Sequence, residues 1–178
     1  MAQIERVIYS GPSLYGVEVQ RFPGELWLPP AKCGDILEAA LGSPKPQQIL
    51  LIDGVFHQSL SVWHKELVYA LLEGIVCIGA ASMGALRAAE LWRYGMIGIG
   101  EIFERYKAGE EDDSLVAMTF DERTFRPLQH ASLQHLKADD ALSAIQFARS
   151  YTGTVETTLD RSSITPYLKL VIDRIYAG

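Results

Sequence analysis

Two cysteines, Cys33 and Cys77, are too few for a disulfide framework or a cysteine ligand cluster in a chain of 178 residues. Cys77 falls inside an apolar run and reads as a small buried hydrophobe. Positive charge is scarce as well. The 16 Lys and Arg against 22 Asp and Glu leave a net charge of −6 and a pI near 5.2, which argues against a general binder of nucleic acid or anionic membrane. No apolar run reaches membrane-spanning length, because the longest are strand-sized and broken by glycine or charge. The opening MAQIERVIYS lacks the basic start, apolar stretch and small-residue cleavage site of a secretory signal, so a soluble cytoplasmic protein is expected. Repeats and low-complexity segments are missing too, and no metal or cofactor is expected. What remains is an ordinary globular composition, 48% hydrophobic and 21% charged, at a length suited to one domain.

Short apolar runs alternate with helical patterns. Residues 4–9 read as a strand that ends in the turn Ser10-Gly11-Pro12-Ser13, and residues 48–52 as a buried strand followed by Asp53-Gly54. Residues 17–22 alternate weakly, as in a short edge strand. Helices are expected over 34–41, with Asp35 at the start, and over 61–73, ending at Gly74. Residues 75–78 form a third apolar strand. It runs through Gly79-Ala80-Ala81 into a helix over 85–94. The glycines at 95–100 connect to a helix over 101–107; 115–120 suggests another strand, and 138–150 an amphipathic helix with Ala141, Leu142, Ile145 and Ala148 on its apolar face. Thr165-Pro166 opens a last helix. Strand–helix alternation predicts an α/β, Rossmann-like fold with a mainly parallel sheet flanked by helices. Residues 1–125 form its core, and 126–178 a helical C-terminal segment packing on that core.

In such sheets, ligands bind beyond the carboxyl ends of the strands. Ser10–Ser13, Asp53-Gly54 and Ser82 all fall there. The turn Ala80-Ala81-Ser82-Met83-Gly84 is a near match to the G-x-S-x-G elbow, which exposes a nucleophilic serine between strand and helix. Ser82 would attack a carbonyl, and the Met83 N–H would hold the oxyanion. His64 shares a helical stripe with Leu67, Val68 and Leu71, so it is expected to face inward and act as the base, with Asp53 orienting it. His57 is a second candidate base. Three competing readings stay open: Ser82 as an ordinary helix N-cap, the small-residue turn as an anion site, and His64 as a hydrogen-bonded core histidine. Arg87 either pairs with Glu90, three residues on, or holds a substrate carboxylate. Ser13 and Gly11 offer a second polar loop. The acidic run at 110–113 reads as a solvated turn, with Asp112 and Asp113 as lesser candidates for orienting a base. The Gly98-Ile99-Gly100 piece is a weak nucleotide signal, since it lacks the full spacing, a phosphate lysine and a ribose acid.

Several strings together resemble the TfuA-like family over residues 4–117. They are Gly11-Pro12-Ser13-Leu14, Ile52-Asp53-Gly54-x-Phe56, Ser61-Val62-Trp63-His64-Lys65-Glu66, Gly79-Ala80-Ala81-Ser82-Met83-Gly84-Ala85-Leu86-Arg87-Ala88-Ala89-Glu90-Leu91 and Gly95-Met96-Ile97-Gly98-Ile99-Gly100. The resemblance implies a partner of a YcaO-type enzyme, an ATP-dependent cyclodehydratase or thioamide synthetase acting on peptide backbones. It also implies a ubiquitin-like sulfur carrier protein whose C-terminal thiocarboxylate is hydrolysed to release sulfide for thioamide formation. The catalytic set is then Ser82, His64 and Asp53. Gly11, Ser13, Met83 and Arg87 join Lys65 and Glu66 of the matched string in binding substrate, and the small residues at 11–13 and 79–81 would suit the extended diglycine tail of such a carrier. A non-catalytic module that binds and activates the YcaO enzyme is the alternative. No nucleic acid or membrane partner is expected, and a homodimer is compatible with the sequence.

Overall fold

The computed structural model describes residues 4–56, 60–111, 119–128 and 133–163. The strand expected over 115–120 lies largely outside these residues, and His57, Asp112, Asp113 and the helix expected after Thr165 lie wholly outside them.

Five parallel strands form one sheet in the order β2-β1-β3-β4-β5. They are β1 (Arg6–Tyr9), β2 (Glu25–Leu28), β3 (Gln48–Leu51), β4 (Val76–Ala80) and β5 (Ile97–Ile99). Among the described residues, five α-helices accompany them: α1 (Asp35–Leu41), α2 (His64–Leu72), α3 (Met83–Leu91), α4 (Glu101–Ala108) and α5 (Gln134–Ser150). The α/β architecture expected from the alternation is therefore present. Among the described residues, no helix is long and apolar enough to cross a membrane.

Strand pleating divides the core in two. Val7, Tyr9, Ile49, Leu51 and Cys77 face α1, α2, α3 and α4, whereas Ile8, Leu50, Ile52, Val76, Ile78 and Ala80 face α5. Both faces are covered, which is why β3 and β4 read as continuous apolar runs rather than alternating ones. The connections from β2 to β3, β3 to β4 and β4 to β5 all step the same way along the sheet and place α1, α2 and α3 on one face, as a constant crossover hand requires. The step from β1 to β2 runs the opposite way, and its Leu14 and Val17 pack on the other face with α5. The chain therefore reverses direction between β1 and β3.

Two expectations needed correction. The edge strand is Glu25–Leu28, not residues 17–22, because β1 pairs with Glu25 to Leu28 while 17–22 cross the α5 face as irregular chain. The glycine-rich piece at 95–100 contains β5, and Gly98 lies against the Phe103 ring, so its glycines serve packing rather than a phosphate loop.

Helix α5 is fastened at two points along its length. Ala141, Ala144, Ile145 and Ala148 bury its apolar stripe. Asp140 accepts from the N–H groups of Glu101 and Ile102 at 3.0 and 2.9 Å, which caps α4. Near its C-terminus Arg149 grips the Glu25 carboxylate at 2.7 and 3.0 Å. Burial works to raise the Glu25 pKa, but Arg149 and the N–H donors of Phe22 and Trp27 outweigh it and hold the carboxyl below its ordinary value. The folded pKa lies under the unfolded one, so Glu25 contributes stability above the unfolded value that is lost as pH falls through the folded value. In urea melts, wild type is expected to exceed Glu25→Gln at pH 7, with the gap closing below about pH 4. A gap constant down to pH 3 would sink this account of the pair.

Candidate functional site

Strand β4 ends at Ala80, and the next residue, Ala81, is buried with φ +65°. A side chain other than glycine is strained there, and the surrounding packing must impose it. The Ser82 N–H turns back onto the Ala80 carbonyl at 2.8 Å, making a tight corner between strand and helix. Helix α3 then starts at Met83.

Gly84 lets this corner form. Its N–H donates to the Ile52 carbonyl at 3.2 Å, and a Cβ there would stand 1.7 Å from the Leu51 carbonyl oxygen. Opposite it, a Cβ on Gly79 would meet the Gly84 carbonyl at 2.1 Å, so Gly79 serves the close approach of helix and strand and lines no slot for a tail. Gly84→Ala is expected to lose about 3 kcal/mol or more of stability by denaturant unfolding. A loss under about 1 kcal/mol would mean that the helix can retreat from the sheet at little cost.

Ser82 occupies the N-cap position of α3, yet its side chain makes no capping hydrogen bond. Its carbonyl, not its hydroxyl, accepts from Ala85 and Leu86. The three N–H groups of the turn differ in the same way. Those of Ser82 and Gly84 are committed to Ala80 and Ile52, whereas that of Met83 has no acceptor among the described residues. A nearly buried hydroxyl, 3% exposed as a residue, thus stands at a helix N-terminus beside one uncommitted donor. The Met83 side chain is buried and packs against Gly54.

Asp53 follows β3 at the reversal between β1 and β3, where open α/β sheets form their binding crevice. It is 2% exposed and fully engaged. One oxygen accepts from the Gly11 and Ser13 N–H groups at 2.8 and 3.0 Å, and the other from Ser13 Oγ at 2.6 Å. The loop after β1 is thereby folded onto a single carboxylate. Burial pushes the Asp53 carboxyl upward, opposed by these hydrogen bonds and by the charge of Lys137.

Lys137 was missing from the sequence reading. It is 3% exposed on α5, and burial drives its ammonium pKa down while Asp53 pulls it up. Its place follows from its neighbours on the helix. Three residues before it, the Gln134 amide donates to the Pro12 and Ser13 carbonyls at 2.7 and 3.4 Å; four residues after it, Ala141 packs in the cluster that holds Ala80 and Ala81. Lys137 is therefore set between the Ser13 loop and the Ser82 turn, within one helical turn of each anchor. A lysine in register with Ala141, Ala144 and Ala148 was the available signal, since a charge on an apolar stripe marks a buried partner.

His64 does not join this cluster. Its side chain is 47% exposed at the start of α2, and its Nε2 lies 2.7 Å from Glu90 rather than against Asp53. Glu90 sits eight residues beyond Ser82, about 12 Å of helix rise away. Two expectations are corrected: His64 faces outward, and its acid partner is Glu90, because the Asp53 oxygens are taken by Gly11 and Ser13. Arg87 does pair with Glu90, at 2.7 Å, and also donates to the Val62 carbonyl at 2.9 Å, which ties α3 to the segment entering α2. Glu66 is buried and accepts from Gly34, Leu37 and Trp63, so it joins α1 to α2 rather than facing substrate. Lys65 is exposed. The structure thus unites Ser82, Met83, Asp53, Ser13 and Gly11 along one sheet edge, adds Lys137, and leaves His64, Lys65, Glu66 and Arg87 on the α2–α3 side.

No curated protein matches the chain. A family model described as TfuA-like protein matches residues 53–162, more than half of the chain, from the Asp53 hub through the Ser82 turn and the whole of α5. The match reaches past residue 117, where the resemblance read from the sequence stopped, and takes in Lys137. The chain belongs to the TfuA-like family.

Proposed function

We propose that this protein delivers sulfur to a YcaO-type enzyme by hydrolysing the C-terminal thiocarboxylate of a ubiquitin-like carrier protein. The observation that carries the reading is the uncapped Ser82 hydroxyl beside the uncommitted Met83 N–H. A serine held there for structural reasons would cap its helix. A serine held for acyl chemistry needs a free hydroxyl and an oxyanion donor within reach.

The reaction balances with the groups present. Ser82 Oγ attacks the thiocarboxylate carbon, its proton passes to the base, and the Met83 N–H stabilises the developing oxyanion. As the tetrahedral intermediate collapses, the C–S bond breaks and the base returns the serine's proton to the departing sulfur, which leaves as hydrosulfide with the carrier esterified to Ser82. Water then cleaves that ester, giving the carrier carboxylate and free Ser82. Lys137 is the better base of the two candidates. It is buried and desolvated toward the neutral amine, whereas His64 is exposed and held by Glu90. Asp53 shapes the Ser10–Ser13 loop and keeps Lys137 in place.

The test is sulfide release from thiocarboxylated carrier by the purified protein alone. Lys137→Met is expected to lose about 10²-fold or more, and His64→Ala less than about 10-fold. The reverse order would return the base to His64. Absence of sulfide from wild type would instead favour the non-catalytic activator of the YcaO enzyme.

A further inference from the structure

A concavity opens beside the Ser10–Ser13 loop, at the carboxyl ends of β1 and β2. Its volume is about 540 Å³, within the range of small-ligand sites, and Ser10, Gly11, Tyr15, Arg21, Trp27 and Phe125 contribute to its walls. Three features mark it as built.

Arg21 is the sole charged residue lining it, and it makes no ion pair among the described residues. Its guanidinium instead rests over the Trp27 ring, 5.2 Å from the centroid. The Trp27 ring is itself fixed, because its Nε1–H donates to Glu25 at 3.2 Å and Glu25 is locked by Arg149. On the other side stands Phe125 with φ +58°, a conformation that a bulky side chain adopts only when its surroundings impose it. A tight turn enforces it: the Phe125 N–H donates to the Asp121 carbonyl at 2.7 Å, and the Asp121 carboxylate gathers the Thr124 N–H and hydroxyl, each at 2.7 Å.

An aromatic wall held in strain, a second ring fixed by hydrogen bonds and one cation without a carboxylate together define a ligand. We propose that this cleft binds a small aryl carboxylate, its ring against Trp27 and Phe125 and its carboxylate on Arg21. One guanidinium matches one carboxylate in charge and in fork geometry. The cleft also touches the Asp53 hub. A Cβ on Gly11 would lie 3.3 Å from the Phe125 ring, and the Gly11 N–H donates to Asp53. The binding proposal does not depend on the hydrolase reading, and its test does not use turnover.

The test is a titration of the full-length ¹⁵N-labelled protein with phenylacetate, phenylacetamide and acetate. The readout is the Trp27 indole N–H resonance, assigned through Trp27→Phe. Phenylacetate is expected to give a saturable shift with Kd of about 1 mM or tighter, and the other two probes, each lacking one recognition element, a Kd at least about 10-fold weaker. Arg21→Gln, an exposed position, is expected to weaken phenylacetate by about 10-fold. Phe125→Gly is expected to weaken it as well while keeping the fold, since glycine accepts positive φ without strain. The proposal is overturned by the lack of a saturable shift up to about 10 mM, by equal binding of phenylacetamide or acetate, or by unchanged affinity in Arg21→Gln.

Discussion

Ser82→Ala is expected to lower sulfide release from a thiocarboxylated carrier by about 10³-fold or more, with a change in unfolding free energy of less than about 0.5 kcal/mol. Both halves follow from one geometric fact. The hydroxyl donates to and accepts from nothing in α3, so its removal leaves no orphaned helix N–H and opens no large cavity. An ordinary N-cap serine behaves the opposite way, losing about 1 kcal/mol of stability and no chemistry. Circular dichroism, a urea melt and a sulfide assay on one preparation separate the two. A stability loss of about 1 kcal/mol with undiminished sulfide would return Ser82 to a capping role.

A large loss of stability is expected from Asp53→Ala, at about 3–5 kcal/mol in denaturant unfolding. That substitution removes the acceptor of three hydrogen bonds, strands the part-buried Gly11 and the buried Ser13 donors, and withdraws the carboxylate whose charge acts on Lys137. Asp53→Asn is expected to fall between wild type and Ala. An amide can accept from one side only and turns its own N–H groups toward donors on the other. His64→Ala is the control, because an exposed pair with Glu90 contributes about 0.2–1 kcal/mol. If Asp53→Ala lost no more than His64→Ala, the carboxylate would not organise the loop.

The parallel sheet was legible in the sequence because apolar runs of four or five residues, punctuated by glycine and serine, have few other readings. The Ser82 corner was legible for the same reason: residues 79–82, Gly84 and Ala85 carry side chains too small for anything but a close approach of helix and strand. The partners of the charged residues were not. His64 sits in a helical stripe with Leu67 and Leu71, but the stripe extends one turn past the part of α2 that the sheet covers, so its first member faces solvent. Asp53 was placed correctly at the strand end. Its partners lie 40 and 42 residues back in the chain and were chosen by the pairing of β1 with β3, which a local pattern cannot specify. Lys137 was hidden by distance as well, although its register with Ala141 and Ala144 was visible. The edge strand was misplaced because residues 17–22 alternate as a strand does, while Glu25 to Leu28, flanked by Pro23 and Pro29, make the actual ladder.

The central claim is that Ser82 carries the carrier's acyl group during sulfide release. Rapid-quench mass spectrometry after mixing with thiocarboxylated carrier tests it most directly. The account predicts a carrier–protein ester that forms with the released sulfide, maps by peptide analysis to Ser82, is cleaved by hydroxylamine and is absent from Ser82→Ala. Complete sulfide release with no protein-bound carrier at any quench time, or an adduct on another residue, would contradict it.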